Sequence, residues 1–157
     1  MKIRSLKVED IEQTAEVHKA AFIRQGQSLE WIECNNKAFP RVQYFVAEDN
    51  NEIIGYIHWN QKSGFRPEVV LELEQLAVHP KKHGNGVATR LIIESLPMVA
   101  AQLDKRGAKI KHILVTTRAD NYAQELYRKT LGAEIETTIS DLFSADEVFM
   151  IVRNIKL

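Results

Sequence analysis

The stretch that decides the fold is Gln75-Leu76-Ala77-Val78-His79-Pro80-Lys81-Lys82-His83-Gly84-Asn85-Gly86-Val87-Ala88-Thr89-Arg90-Leu91. It opens as an apolar strand, breaks at Pro80, turns through a basic loop and closes as the start of a helix. Backbone N–H groups in the first turn of a helix have no intrahelical acceptor, so such a loop can aim several donors at an anion. Gly84 and Gly86 lack Cβ, which permits unusual dihedrals and the close approach of a phosphate. The pattern predicts a phosphate-bearing ligand at a helix N-terminus. It differs from two other phosphate loops: the Gly-Lys-Ser/Thr ending is absent, and Gly84-x-Gly86-x-Ala88 lacks the spacing and the later acidic residue of a dinucleotide turn. A strand, a loop with two glycines and a helix also occur as a plain connection, so the rest of the chain must bear on the choice.

The 157 residues fit one domain, residues 1–157, with room for a hydrophobic core. Lys and Arg number 21 and Asp and Glu 21, so the net charge is zero and gives a nucleic-acid partner little electrostatic support. No early apolar run resembles a signal peptide and no segment is long enough to span a bilayer, which predicts no membrane role. The single cysteine, Cys34, excludes an internal disulfide and fits a reducing cytoplasm. It reads as an incidental thiol on an amphipathic helix rather than as a nucleophile.

Working outward toward the N-terminus, Glu68 to Val78 reads as the strand that leads into the loop. Val42–Ala47 and Ile53–Trp59 read as a hairpin around the polar turn Glu48-Asp49-Asn50-Asn51-Glu52. Gly55, inside the second of these strands, marks a bulge or a close packing contact. Lys2–Lys7 reads as a short strand. Asp10, with Gln13 three residues on, resembles a capping box for a helix that aligns Ile11, Ala15, His18 and Phe22. A second short helix carrying Leu29, Trp31 and Ile32 follows, and Pro40 ends it. Toward the C-terminus, Val87, Leu91, Leu96, Val99 and Leu103 keep helical spacing, with a kink expected at Pro97 and a stop at Gly107. His112–Thr117 is an apolar strand, and Asp120 or Asn121 caps a helix that Gly132 ends. Glu134–Ile139 and Glu147–Ile155 read as a final pair of strands. The order is β-α-α-β-β-β-α-β-α-β-β.

Two blocks resemble one family. Val78-x-Pro80 followed by His83-Gly84-Asn85-Gly86-Val87-Ala88 is similar to the acetyl-CoA signature of the GCN5-related N-acetyltransferase (GNAT) superfamily, Gln/Arg-x-x-Gly-x-Gly/Ala after Val-x-Pro. Gly86 and Ala88 take its small positions, and His83 stands where the family has Gln or Arg. A neutral imidazole is a weaker anion partner than Arg, although Lys81 and Lys82 lie beside it. Asp120-Asn121-Tyr122-Ala123-Gln124-Glu125-Leu126-Tyr127-Arg128-Lys129-Thr130-Leu131-Gly132-Ala133 is similar to the second family motif, Asn-x-x-Ala-x-x-Leu-Tyr-x-Lys-Leu-Gly-Phe, with Ala123, Leu126, Tyr127 and Lys129 in register. The departures are Asp120 at the Asn position, Thr130 as an insertion and Ala133 in place of Phe. The resemblance spans essentially the whole chain. It implies an α/β (α+β) fold with a mixed, mostly antiparallel sheet flanked by helices.

The resemblance also implies a function: transfer of the acetyl group of acetyl-CoA to a primary amine, of a small molecule or a protein, by direct attack in a ternary complex. By resemblance, the backbone of Leu76, Ala77 and Val78 would pair with the pantetheine amides. The loop His83, Gly84, Asn85, Gly86, Val87, Ala88 and Thr89 would bind the pyrophosphate. Asn121, or Asp120 beside it, would touch the pantetheine arm, and the Tyr127 phenol would protonate the departing thiolate. Glu74, four residues before Val78, is the candidate base. In a regular strand Glu72, Glu74, Leu76 and Val78 share one face. A bulge there, usual in the family, would change that geometry. A solvated strand face and recognition of a cationic acceptor remain open readings of the two carboxylates. No metal is expected, and the chain is expected to be a monomer or a homodimer. The alternative is a non-catalytic acyl-CoA-binding or regulatory module on the same fold.

Overall fold

Runs of strand period and runs of helix period alternate along the chain, and each becomes the predicted element. The computed structural model describes all 157 residues. In order they are β1 (Lys2–Ser5), α1 (Ile11–Ala21), α2 (Ser28–Asn36), β2 (Val42–Asp49), β3 (Glu52–Gln61), β4 (Glu68–Val78), α3 (Val87–Asp104), β5 (Lys109–Arg118), α4 (Ala123–Leu131), β6 (Glu134–Ile139) and β7 (Glu147–Arg153). One seven-stranded sheet has the order β1-β2-β3-β4-β5-β7-β6. Its neighbours are antiparallel except β4 and β5, which run parallel. Parallel neighbours need a crossover, and α3 supplies it. The mixed, mostly antiparallel sheet flanked by helices is therefore the fold that the resemblance implies.

Each face of the sheet is covered. On one face Leu91, Ile92, Val99 and Leu103 of α3 pack against Ile57, Trp59, Leu71, Leu73 and Ile113. On the other, Val17 of α1 and Ile32 of α2 pack against Tyr44, Val46 and Tyr56. Burying such a side chain contributes roughly 1.5–3 kcal/mol. The Trp59 indole is wholly buried, and its N–H donates to Ser95 Oγ at 2.8 Å inside α3. The hairpin between β2 and β3 turns through Asn50 and Asn51, both at positive φ (50° and 63°), the conformation that asparagine tolerates best after glycine.

Several local expectations change. Asp10 does not cap α1 with its side chain. Its carboxylate accepts from the Lys7 N–H at 2.8 Å and takes both amine groups of Arg4, at 2.6 and 2.9 Å. An ionised partner outcompetes a helix N–H for the same oxygens. Gly55 proves to be a close contact, because a Cβ there would stand 2.9 Å from the Ala77 carbonyl oxygen. A bulge lies next to it, since Ala47 pairs with Gly55 and Glu48 with Ile53, leaving Ile54 extra. Pro97 lies inside α3, which nevertheless continues as one element of 18 residues. The Ile93 carbonyl thereby loses its helical donor at an exposed position, where water can replace it.

A second bulge reshapes the site. Gln75 pairs with His58 and Leu73 with Trp59, so Glu74 is the extra residue of β4. The side-chain alternation slips there. Glu74 and Gln75 both turn to the α1–α2 face, where they bond Asn60 and Trp31, while Leu76 and Val78 turn to the α3 face. The regular-strand expectation that Glu74, Leu76 and Val78 share one face is thus corrected. Pairing with β5 also ends at Leu73 and Val115. Beyond it, β4 parts from β5 and leaves the edge of Glu74–Val78 unpaired.

Candidate active site

The parting of β4 from β5 opens a cleft of about 540 Å³. One wall is the strand edge at Leu76 and Val78, another is the loop and first turn of α3, and the third is α4 with Tyr122, Ala123, Leu126 and Tyr127. The sequence blocks that lie 40 or so residues apart thus meet across one gap.

The loop is built as the glycine pattern predicts. A short 3-10 turn at Pro80–Lys82 leads to Gly84 (φ 79°) and to Gly86 (φ 71°), which is the N-cap of α3. No heavy atom lies within 4 Å of where a Cβ would stand on either glycine. The N–H groups of Gly84 through Thr89 find no acceptor in the chain, and the next, that of Arg90, bonds Gly86 O at 3.0 Å. A row of unpaired donors at the positive end of an 18-residue helix is a binding surface for an anion. Lys82 lines the cleft and lies 3.9 Å from Asp49. Lys81 makes no ion pair.

His83 lines the cleft but faces the strand rather than the loop. Its Nε2–H donates to the Val78 carbonyl at 3.0 Å, which fixes the tautomer and bridges the loop to the strand edge. Asn85 also points inward on the loop, donating to the Lys82 and His83 carbonyls at 3.2 and 3.3 Å. Ala77 is buried on the α1–α2 face, so its side chain lies outside the cleft. Gly84, Gly86, Val87, Ala88 and Thr89 all line it.

Just before α4, Asn121 is not a wall of the cleft. Its Oδ1 accepts from the Ala123 N–H at 2.9 Å and caps the helix. Asp120 is held by Arg118, with two bonds of 3.0 Å, and that guanidinium keeps its carboxyl below the usual range. Tyr122, 91 % exposed, takes the wall position beside them. Tyr127 is buried, yet its hydroxyl has no protein partner and is not sealed from solvent. It opens on the cleft. Burial pushes the phenol up to about 12, so it keeps its proton at neutral pH.

Glu74 lies where β4 leaves β5, on the α1–α2 face of the sheet and outside the lining of the cleft. Its Oε2 accepts from Asn60 Nδ2 at 2.7 Å and lies 3.6 Å from His58 Nε2. Glu72 pairs instead with Lys62 at 3.1 Å. Gln75, the next bulge residue, locks this face together. Its Oε1 accepts from Trp31 Nε1 at 2.8 Å and the Tyr56 hydroxyl at 2.9 Å, and its Nε2 donates to Gln25 Oε1 at 3.2 Å. Gln25 in turn meets His18 Nε2 at 3.0 Å. His18 is therefore a buried, hydrogen-bonded tie between α1 and the bulge. Glu147, at the start of β7 opposite Arg118, is a further buried carboxyl that burial pushes up and Arg118 pulls down.

Sequence reasoning missed His58, Asn60, Gln75 and Glu147. The alternation His58-x-Asn60 within a β-rich run was the readable sign of two polar groups on one face. Nothing local marks their partnership with Glu74, which depends on the bulge. The structure holds no group of three or more His, Cys, Asp or Glu side chains arranged for a metal. No helix is long and apolar enough to cross a membrane.

Comparisons bear on the same residues. No curated protein matches the chain by sequence. Solved structures match it over its full length. An aminoglycoside 6'-N-acetyltransferase from Enterococcus faecium is 17% identical with a TM-score of 0.76, covering 100% of this chain and 99% of that one. An aminoglycoside 6'-N-acetyltransferase complexed with coenzyme A is 18% identical, also at 0.76, with the same coverage of 100% and 99%. The ribosomal-protein-S18-alanine N-acetyltransferase from Escherichia coli is 19% identical at 0.75, covering 99% and 95%. Likeness at these identities concerns the fold. The model of the acetyltransferase (GNAT) family matches residues 8–133, which hold the cleft loop, the β4 bulge and Tyr127. The chain belongs to the acetyltransferase (GNAT) family.

Proposed function

We propose that the chain, acting as a single domain, moves the acetyl group of acetyl-CoA to a primary amine in a ternary complex. The observation that carries this reading is the row of unpaired N–H donors from Gly84 to Thr89, continuous with the unpaired edge of β4. The donors suit a pyrophosphate, and the strand edge suits the amides of a pantetheine arm. Open space at Gly84 and Gly86 suits the close approach of phosphate oxygens. Asn121, whose Nδ2 has no protein partner, remains the proposed contact of the arm although it lies outside the cleft wall. When bound, acetyl-CoA supplies the activated acyl group, and the protein supplies position and polarity.

The roles of the side chains follow. Glu74 offers Oε1, which has no protein partner, to an N–H of the acceptor amine. Tyr127 holds its proton at Oη on the other side of the gap, ready for the departing sulfur. Holding both substrates in one gap provides most of the acceleration. The acceptor is an amine of a small molecule or of a protein. The structural neighbours named above carry an aminoglycoside and a ribosomal-protein alanine in their names, one from each class. The single, exposed Cys34 supports a reducing, cytoplasmic setting.

The test is calorimetric titration with acetyl-CoA and with CoA, followed by a thiol-release screen over polyamines, aminoglycosides and peptides with free N-termini or lysines. Micromolar binding with turnover of one amine is the expected result. Binding without turnover of any amine would favour the non-catalytic acyl-CoA module. Absence of binding would reduce the glycine loop to a plain turn.

A further inference from the structure

Behind Glu74 lies a residue with no part in the scheme above. His58 is fully buried on β3. Its ring stacks on Tyr44, with centroids 4.5 Å apart, and meets Trp31 edge-on. Its two nitrogens face different neighbours. Nδ1 lies 3.2 Å from Asn60 Oδ1, whereas Nε2 lies 3.6 Å from Glu74 Oε2 and has no hydrogen-bond partner.

The neighbours fix where the ring hydrogen sits. An ionised carboxylate only accepts, so the Asn60 group 2.7 Å from Glu74 Oε2 is the amide NH2. That orientation turns Asn60 Oδ1, an acceptor, toward His58 Nδ1. Nδ1 must therefore carry the hydrogen. Burial pushes the imidazole down to about 4, so the ring holds a single proton at neutral pH. Nε2 is then a bare lone pair, shut off from water and facing a carboxylate oxygen. The other ionisable groups around it do not supply a donor. Glu72 on β4 is paired with Lys62, and His18 on α1 is bonded through both nitrogens. Tyr56 on β3 donates to Gln75, while the Tyr44 hydroxyl on β2 and the Cys34 thiol on α2 make no bond to the ring. The Glu74 side chain is partly open to solvent, but Nε2 is buried, so its lone pair stays unmatched until a proton comes between the two.

We propose that His58 is a positioning residue for Glu74: its bare Nε2 receives the hydrogen bond of the Glu74 carboxyl once that group has taken a proton from the acceptor amine. This rests on the reading of Glu74 as the base. The amine N–H bond breaks as the new C–N bond forms, and an O–H bond forms at Glu74 Oε1. A half-turn about the terminal bond of the side chain carries that O–H to the Nε2 side, away from the new amide. The carboxyl later releases the proton to water and is ready for the next amine.

Nitrogen-15 NMR of the full chain reads the tautomer without any substrate. The expected spectrum has His58 protonated at Nδ1 and bare at Nε2. In Glu74→Ala, Asn60 is free to turn, so the tautomer is no longer fixed and both ring forms should appear. A wild-type ring in the Nε2–H form overturns the proposal. Kinetics give a second arm, with acetyl-CoA and the amine found by the screen. His58→Asn keeps an N–H near Nδ1 and removes the acceptor, so kcat should fall about tenfold with the acetyl-CoA KM unchanged. His58→Gln restores an acceptor near Nε2 and should recover most of the rate. In a Glu74→Gln background His58→Asn should cost nothing further, whereas a loss that persists there marks a structural role and overturns the proposal. A damaging Glu74→Gln beside a harmless His58→Asn removes His58 alone; a harmless Glu74→Gln removes the base and His58 with it.

Discussion

At the scale of single residues, burial decides what each ionisable group can do. The Tyr127 phenol, raised to about 12, cannot act as a base near neutrality but keeps a proton to donate. Tyr127→Phe should therefore lower kcat by ~10- to 100-fold, within the usual range for one proton-transfer group, and leave acetyl-CoA affinity within about twofold. Unchanged turnover by stopped assay would remove Tyr127 as the acid. The phenol should also give no basic limb in the pH–rate profile below about pH 10. Asp10 shows the opposite case. Hydrogen bonds from Arg4 hold its carboxyl below the ordinary range, so the stability it contributes is present above the unfolded value of about 4 and is lost as pH falls through the lower folded value. Asp10→Asn should cost about 2 kcal/mol in urea unfolding at pH 7 and flatten the acid side of the stability curve. Tyr127 was legible in the sequence because four residues of its helix fall in register with one motif. The role of Asp10 was not, because Asp10-x-x-Gln13 has the local form of a cap while Arg4, the partner that wins, comes from the neighbouring strand.

At the scale of elements, the loop and the bulge do different work and were legible to different degrees. Glycine at 84 and 86, a preceding proline and a following helical period are all local, so the sequence carried the course of the loop, though not the turn of His83 toward the Val78 carbonyl. The bulge at Glu74 is a property of two strands. Nothing in Glu68–Val78 alone says that Leu73 and Gln75 will oppose adjacent residues of β3. Hence the strand bounds were read correctly while the faces of Leu76 and Val78 relative to Glu74 were not. The loop yields a sharp test. Gly86→Val places a branched side chain at φ 71°, where L residues are strained, and points it into open space beside the unpaired donors. Calorimetry should find acetyl-CoA binding weakened at least ~100-fold, about 2.8 kcal/mol. Gly86→Asn tolerates the left-handed backbone and separates strain from obstruction. If both variants bind CoA normally, the phosphate loop lies elsewhere.

At the scale of the whole molecule, the cleft exists because the sheet is interrupted at its centre. β4 and β5 are the one parallel pair, and they part beyond Leu73. There α3 spans the interruption, packing on β3, β4 and β5 and contacting α4, while α1 and α2 tie to the β4 side through Gln75 and His18. A ligand that lays amides along the β4 edge and phosphates on α3 would bridge the interruption and bind the folded state alone. Ligand at about 100 times its Kd stabilises such a state by ~2.7 kcal/mol. For a chain of this size each kcal/mol moves Tm by ~2–4 °C, so saturating CoA should raise Tm by about 5–10 °C. The pyrophosphate contact is electrostatic and partly exposed, so the shift should shrink as salt rises from 0.05 to 0.5 M, by way of screening at about 10 Å and below. Differential scanning fluorimetry across that salt range, with Gly86→Val as the control, checks both points together. A shift of equal size in Gly86→Val would mean that CoA stabilises the chain from some other surface, and the interrupted sheet would lose its explanation as a cofactor cleft.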